Sequence, residues 1–105
     1  MVALAWGEIW WTERPEEGPR PYLILTRDEA IPVLSRVLAA PVTRTIRSIP
    51  TELLLGTEEG LQVACVASLD NITVLPKGHM TRRMGALART RRHELCQAIA
   101  AAVGC

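Results

Sequence analysis

The sequence predicts one mainly β domain, a small barrel of short strands closed by a C-terminal helix. Short segments rich in β-branched and aromatic residues, separated by glycine and proline turns, fill the chain up to about residue 76. From Thr90 the apolar residues change to helical spacing. The chain has 105 residues, is 49% hydrophobic and carries a formal net charge of +1, which suits one globular domain and not a disordered tail. We therefore predict a single domain over residues 1–105.

The first two predicted strands form a hairpin. Residues 6–12 mix tryptophan with β-branched residues in rough alternation, which favours a strand. Residues 14–19 contain prolines and a glycine and predict a polar loop. Residues 20–26 form the second strand, which opens on an edge-type proline at Pro21.

The middle of the chain alternates strands with turns. Residues 28–31 predict a helical turn, capped by Thr26 or Asp28 and ending before Pro32. The nearly continuous apolar run at residues 36–43 predicts a core strand buried on both faces. Further strands are predicted at residues 51–55, 63–70 and 72–75, with turns at residues 56–60 and 76–78.

The last element is an amphipathic helix. Thr90 is the predicted N-cap, and Leu95, Ile99, Ala102 and Val103 fall at the spacing of one buried stripe. Gly104 is the predicted C′ residue. We expect the stripe to pack on the barrel or on a second subunit.

Several protein classes are excluded. No apolar run approaches the roughly 20 residues of a membrane helix, so we predict no membrane association. Residues 1–6 lack the basic start of a secretion signal, which predicts a cytoplasmic protein. Cys65, Cys96 and Cys105 are odd in number and far apart, and His79 and His93 lack ligand spacing. We therefore expect neither a disulfide framework nor a metal or other cofactor.

The balanced charge conceals an asymmetry along the chain. Residues 1–30 hold three arginines against six carboxylates, whereas residues 61–105 hold six basic groups against two acidic ones. Eleven of the twelve cationic residues are arginines, which bind phosphate in a bidentate manner. The arginine bias of a GC-rich genome gives the same count without any function, so composition alone does not establish nucleic-acid binding.

Six sequence pieces, in order, resemble the MazF/PemK family of toxin endoribonucleases, most like its actinobacterial members. The first three are G-E-I-W at residues 7–10, R-P followed by L-I-L-T at residues 20–26, and A-P-V-T at residues 40–43. The others are I-P-T-E at residues 49–52 with G-L at 60–61, L-D-N with V-L-P-K at residues 69–77, and G-A-L at 85–87. Each piece alone is common, but together they span nearly the whole chain.

The resemblance implies an SH3-like small barrel of the CcdB/MazF/PemK type that forms a homodimer. It implies a toxin of a type II toxin–antitoxin system that cleaves single-stranded RNA without a metal and inhibits translation and growth. The implied products are a 2′,3′-cyclic phosphate and a 5′-hydroxyl. The implied partner is an acidic MazE-like antitoxin whose C-terminal tail occupies the RNA groove, and DNA contact arises only through that antitoxin.

The family's catalytic arginine and threonine correspond to Arg20 and Thr43. Attack by the substrate's own 2′-hydroxyl needs no protein nucleophile, only proton removal, charge stabilisation at phosphorus and help for the leaving oxygen. A guanidinium supplies the charge stabilisation, which we expect Arg20 to do from a loop. We expect the Thr43 hydroxyl to bind a phosphate oxygen or orient the 2′-hydroxyl at a strand end.

Further residues are candidates for binding RNA. Arg27, Arg44 and Arg47 lie near the catalytic pair in sequence and predict a phosphate track, with a solvated face as the alternative. We assign Thr45, Asp70, Asn71 and Lys77 to the same RNA-binding set. A second basic cluster is expected at Arg82, Arg83, Arg91 and Arg92, for RNA approach or for an acidic antitoxin.

Two features depart from the family pattern and two other functions stay open. The loop before Arg20 is shorter than the family's G-S-E-containing loop, and Arg44 stands where a serine is common. One alternative is a CcdB-like gyrase-targeting toxin, although this chain ends V-G-C where that group has W-G-I. The other is a non-catalytic RNA-binding barrel, which would bind several RNAs without turnover.

Overall fold

The computed structural model describes residues 3–105 and contains one antiparallel sheet system with a C-terminal helix. Met1 and Val2, the start of the segment considered for a secretion signal, lie outside the described residues. The seven strands are β1 (Glu8–Arg14), β2 (Gly18–Ile24), β3 (Arg36–Thr43), β4 (Glu52–Leu55), β5 (Cys65–Ser68), β6 (Thr73–Pro76) and β7 (Met80–Ala86), and the helix is α1 (Arg92–Val103). Single 3₁₀ turns lie at Ile31–Val33, Thr57–Glu59, Leu69–Asn71, Lys77–His79 and Arg89–Arg91.

The strands pair in the order β4-β5-β3-β2-β1-β7, and β6 pairs with the first half of β3. Every pairing is antiparallel. β3 is the central strand, because it pairs with β2 and β6 and then with β5 at its last two residues. The mainly β domain with one C-terminal helix is therefore confirmed.

The core has two parts, one on each face of the β1–β2–β3 sheet. Alternate residues of a strand point to opposite faces, so Leu23 packs toward α1 while Tyr22 and Ile24 pack on the other side. Leu95 and Ala98 are the buried residues of α1, and they complete the first part. This double burial explains why β3 reads as a nearly continuous apolar run.

The predicted strands occur in the predicted succession along the chain, but their first and last residues differ from the prediction. The core strand at residues 36–43 is confirmed, although Arg36 and Leu38 are exposed rather than buried. The hairpin loop is shorter than predicted, since the ladder continues to the pair Arg14–Gly18. Arg20 consequently lies within β2, opposite Thr12 of β1, and the expectation that it acts from a loop is wrong.

The last quarter of the chain differs most from the prediction. β7 was not predicted, because M-T-R-R-M-G-A has neither β-branched enrichment nor clear alternation. Thr90 is not the helix cap: it lies in a 3₁₀ turn, and α1 begins after Arg91 without a side-chain cap. Val103 is 61% exposed and does not belong to the buried stripe. Gly104 does end the helix in a left-handed conformation, as predicted.

Candidate active site

A groove opens where β2 and β3 separate. The register pairs Leu23 with Ala40 and Tyr22 with Pro41, and no pair follows. The next pair would place Pro21, which has no backbone N–H, against Val42, and β3 instead turns to pair Val42 with β5. The two strands therefore diverge immediately after their last shared pair.

Arg20 and Thr43 occupy equivalent positions on the two strands beyond this divergence. Continuing the β2–β3 register by two residues from the Tyr22–Pro41 pair places Arg20 opposite Thr43, on the same face as Tyr22 and Pro41. The resulting cavity of about 440 Å³, here called the polar groove, is lined by ten residues: Arg14, Glu17, Arg20, Tyr22, Pro41, Thr43, Arg47, Ser68, Asn71 and Thr73. The structure thus brings both predicted catalytic residues to one cavity.

The two side chains differ in how they are held. Arg20 is exposed, and among residues 3–105 its guanidinium has no ion-pair partner. Thr43, the last residue of β3, is half-buried, and its hydroxyl oxygen accepts a hydrogen bond of 3.2 Å from the Thr45 amide. This contact uses an acceptor position of the hydroxyl and leaves its proton available to a ligand.

A hydrogen-bonded cluster that the sequence analysis missed forms one side of the polar groove. The Arg14 guanidinium lies 2.7 Å from the Glu17 carboxylate and donates to the Tyr22 hydroxyl at 3.2 Å. The Tyr22 hydroxyl donates to the other Glu17 oxygen at 3.4 Å. The pKa of Arg14 is raised because it donates to Tyr22, and the negative charge of Glu17 adds to this. Glu17 is the one carboxylate that lines the groove in the described part of the chain.

The opposite side of the groove offers neutral polar groups and one arginine. Asn71 donates from its amide to the Ser68 hydroxyl at 2.8 Å, and both residues line the groove with Thr73. Arg47 lies in the loop after β3, where its amide and that of Ser48 donate to Glu52 at 2.9 and 3.0 Å. Glu52 therefore holds the loop that presents the Arg47 side chain.

The other predicted RNA-binding residues lie elsewhere. Arg27 lines a different cavity, beside Leu38 and Val74. The Lys77 ammonium donates to the Ile31 carbonyl at 2.8 Å, and Asp70 accepts a 2.6 Å bond from the Thr51 hydroxyl. Neither these residues nor Thr45, which bonds back to Thr43, line the polar groove.

A second cavity, of about 670 Å³, adjoins the polar groove through Arg20 and Thr43, which line both. We call it the tryptophan pocket. Its apolar lining includes Trp11, Val42, Leu61, Val63, Cys65 and Met84, and its arginines are Arg20, Arg44, Arg82 and Arg83. The Arg82 guanidinium lies over the Trp11 ring, 6.0 Å from its centroid.

The expected second basic cluster is divided between three places. Arg82 and Arg83 line the tryptophan pocket, and Arg83 also pairs with Glu8 at 2.8 Å. Arg91 pairs with the buried Glu59 at 3.2 Å and with Glu94 at 2.9 Å. Arg92 lies 5.0 Å from the Trp6 ring centroid. These four arginines therefore do not form one surface.

The described residues contain neither a metal-binding cluster nor a membrane-spanning helix. No three His, Cys, Asp or Glu side chains within residues 3–105 are grouped so that they could hold a metal ion. In the same range, no helix has both the length and the apolar character needed to cross a membrane.

Comparison with known proteins places this geometry in a family. A family model described as "PemK-like, MazF-like toxin of type II toxin-antitoxin system" matches residues 5–103. The probable endoribonuclease MazF5 of Mycobacterium tuberculosis is 39% identical over 107 residues, covering 100% of this chain and 98% of its own. Among solved structures, M. tuberculosis toxin MazF-mt6 has a TM-score of 0.87 and 33% identity, covering 92% of this chain and 96% of its own. An endoribonuclease from a mycobacterial species, solved in complex with its cognate antitoxin, has a TM-score of 0.86 and 26% identity, covering 97% of this chain and 96% of its own.

Proposed function

The chain belongs to the PemK-like, MazF-like family of type II toxins and is an endoribonuclease, and we propose that it cleaves single-stranded RNA in the groove lined by Arg20 and Thr43. The observation that carries the proposal is that a cationic side chain without an ion-pair partner in the described part of the chain lines the same polar groove as the Thr43 hydroxyl. Cleavage of messenger RNA by such an enzyme inhibits translation and growth.

The proposed reaction is a transesterification within the substrate. The 2′-oxygen forms a bond to the adjacent phosphorus, the bond from phosphorus to the 5′-oxygen breaks, and a 2′,3′-cyclic phosphate and a 5′-hydroxyl result. The proton of the 2′-hydroxyl passes to a carboxylate of the site, and solvent water supplies the proton that the leaving 5′-oxygen gains. The protein supplies proton transfer and stabilises the charge that develops on the non-bridging oxygens.

Arg20 is the proposed electrostatic catalyst. A guanidinium remains protonated in proteins and donates two parallel hydrogen bonds to phosphate oxygens. These bonds strengthen as the phosphorane gains charge, so they favour the transition state over the ground state. Arg47, on the opposite side of the same groove, is placed to bind a neighbouring phosphate.

Thr43 and Glu17 are the proposed groups for the 2′-hydroxyl. The Thr43 hydroxyl orients the nucleophile or binds a phosphate oxygen with the proton that it does not use in its contact with Thr45. Glu17 accepts the 2′-hydroxyl proton, since it is the carboxylate of the groove and its two oxygens are fixed by Arg14 and Tyr22. The site residues thereby account for the chemistry without a cofactor.

An acidic antitoxin and a second copy of the chain are the proposed protein partners. The mycobacterial endoribonuclease solved with its cognate antitoxin supports the first. The arginines of the groove suit an acidic, extended antitoxin tail that competes with RNA, and DNA is reached only through the antitoxin. The homodimer is proposed from the family, and the cytoplasm is the proposed location because the RNA substrates are there.

Cleavage by the purified protein tests this function. Long single-stranded RNA is incubated with the protein and excess chelator, and the ends of the products are identified. We expect discrete cuts with 2′,3′-cyclic phosphate ends, and no cut when a 2′-deoxynucleotide precedes the scissile phosphate. Binding without turnover on several RNAs would refute the enzymatic proposal and favour an RNA-binding barrel.

A further inference from the structure

We propose that the tryptophan pocket binds the base of a nucleotide next to the scissile phosphate, with that base stacked on Trp11. This inference rests on the proposed function, because Arg20 and Thr43 mark where the phosphate lies. It adds Trp11, which belongs neither to the catalytic pair nor to the RNA-binding set predicted from sequence, as a substrate-binding residue beside Arg20, Thr43 and Arg44.

The position of the pocket is the first argument. Arg20 and Thr43 line both cavities, so a phosphate held between them has the polar groove on one side and the tryptophan pocket on the other. An RNA chain continues in both directions from any internal phosphate. One flanking nucleotide therefore faces the polar groove and the other faces the tryptophan pocket.

The chemistry of the pocket is the second argument. Trp11 is half-buried, and the guanidinium of the exposed Arg82 lies over its ring at 6.0 Å from the centroid. Aromatic faces combined with arginines are the usual platform for unpaired bases, which stack on the ring while their phosphates meet the cations. No carboxylate lines the pocket in the described part of the chain, so its charge complements an RNA backbone.

The two cavities predict two kinds of recognition. The polar groove presents Ser68, Asn71 and Thr73, whose hydroxyl and amide groups can hydrogen-bond to base edges. The tryptophan pocket presents the Trp11 ring with apolar side chains and arginines around it, and stacking tolerates any base. We therefore expect the pocket to contribute affinity and positioning at one flanking nucleotide, with little choice of base there.

The test removes the base and the ring separately. After the cut site is mapped, RNA oligonucleotides carry an abasic residue at either position flanking the scissile phosphate. Cleavage of each oligonucleotide is measured with the wild-type protein and with Trp11→Leu, which keeps an apolar side chain but loses the aromatic ring. Trp11→Phe retains a stacking face, and Trp6→Leu is the matched control, because Trp6 is also half-buried and near arginines but does not line the pocket. Thermal unfolding of each variant establishes that it is folded.

We expect Trp11→Leu to lower kcat/KM on intact RNA by roughly 5- to 100-fold, the range for loss of one base stack. Trp11→Phe should retain most of the activity, and Trp6→Leu should match wild type. The abasic residue at one flanking position should slow the wild-type protein by a similar factor and cost Trp11→Leu nothing further.

Two results would overturn the proposal. One is wild-type kcat/KM for folded Trp11→Leu. The other is an abasic penalty in Trp11→Leu as large as in wild type at both positions. Wild-type activity in Arg20→Ala would instead refute the catalytic site, and with it this inference. That result is separable because it does not depend on which base is missing.

Discussion

Arg20 of β2 and Thr43 of β3 line the same groove, and each lies two residues beyond the last shared pair of their ladder, Tyr22–Pro41. The strands separate there, and the opening between them is the polar groove. The R-P and P-V-T segments therefore have a structural explanation: Pro21 ends the ladder beside the arginine, and Pro41 sits in its last pair before the threonine. The same two segments open the groove and contribute Arg20 and Thr43 to its lining.

Restoring the missing backbone donor should partly close the groove. The Leu25 amide donates to the Leu38 carbonyl at 2.9 Å, so the amides of every second residue of β2 point toward β3. Position 21 is one of these residues. Pro21→Ala supplies an N–H there and extends the β2–β3 ladder. We expect kcat/KM to fall by up to about 100-fold, the cost of a small misplacement of reacting groups.

The melting temperature of Pro21→Ala should stay near that of wild type, with Pro19→Ala measured as a control. Wild-type activity in Pro21→Ala would contradict this account of the groove.

Glu17 should be needed for proton transfer. Glu17→Gln keeps the size of the side chain and one acceptor oxygen but removes its negative charge and its basicity. We expect the single-turnover rate at saturating RNA to fall by roughly 100-fold or more, the usual contribution of a general base. Glu16→Gln is the matched control, since Glu16 is exposed and does not line the groove. Equal rates for the two variants would remove Glu17 from the mechanism.

The contact between Gly60 and Gly85 should tolerate no side chain. A Cβ at Gly85 would overlap the Glu59 carbonyl, and one at Gly60 would overlap the Met84 carbonyl. We expect Gly85→Ala to lower the free energy of unfolding by about 1–3 kcal/mol, as overpacking does. Gly78→Ala, where a Cβ meets open space, should be nearly neutral in the same urea titration. A neutral Gly85→Ala would show that the backbones separate easily.

Arg91 should make the fold sensitive to acid. It donates to Glu94, which lowers the pKa of that carboxyl below its ordinary value of 4.5, and it pairs with the buried Glu59. A lowered folded pKa contributes stability above about pH 4.5 that is lost as the pH falls through the folded value. We expect Arg91→Gln to lower the free energy of unfolding by about 1–3 kcal/mol at neutral pH, because the buried Glu59 carboxylate loses its ion-pair partner. Its melting temperature should also fall less than that of wild type between pH 6 and pH 3; parallel pH profiles would contradict this.

The sequence predicts the succession of strands along the chain better than it predicts the surroundings of Arg20 and Thr43. The run at residues 36–43 is recognisable because burial on both faces leaves few polar residues. β7 is not recognisable, because Thr81, Arg82 and Arg83 are three consecutive exposed residues and Gly85 is needed for a close backbone approach. The strand is recruited by pairing with β1, which is a tertiary effect.

The groove lining shows the same limit. Arg14, Glu17 and Tyr22 converge only because the β1–β2 ladder extends to Arg14–Gly18, two residues further than turn propensity suggests. The spacing of Arg14 and Glu17 across a tight turn was the available signal for their ion pair. Lys77 is the opposite case, since its family motif is present but its ammonium bonds to a backbone carbonyl.

The catalytic role of Arg20 and Thr43 is tested most directly by single-turnover cleavage with chelator present. Wild type, Arg20→Ala, Thr43→Ala and Thr43→Ser are compared on one RNA of known cut site, with thermal unfolding as the check of folding. We predict that the two alanine variants lose activity by roughly 100-fold or more, as when a group that stabilises transition-state charge is removed. Thr43→Ser, which keeps the hydroxyl, should retain most of the rate. Cleavage at the wild-type rate by folded Arg20→Ala and Thr43→Ala would contradict the assignment of the active site.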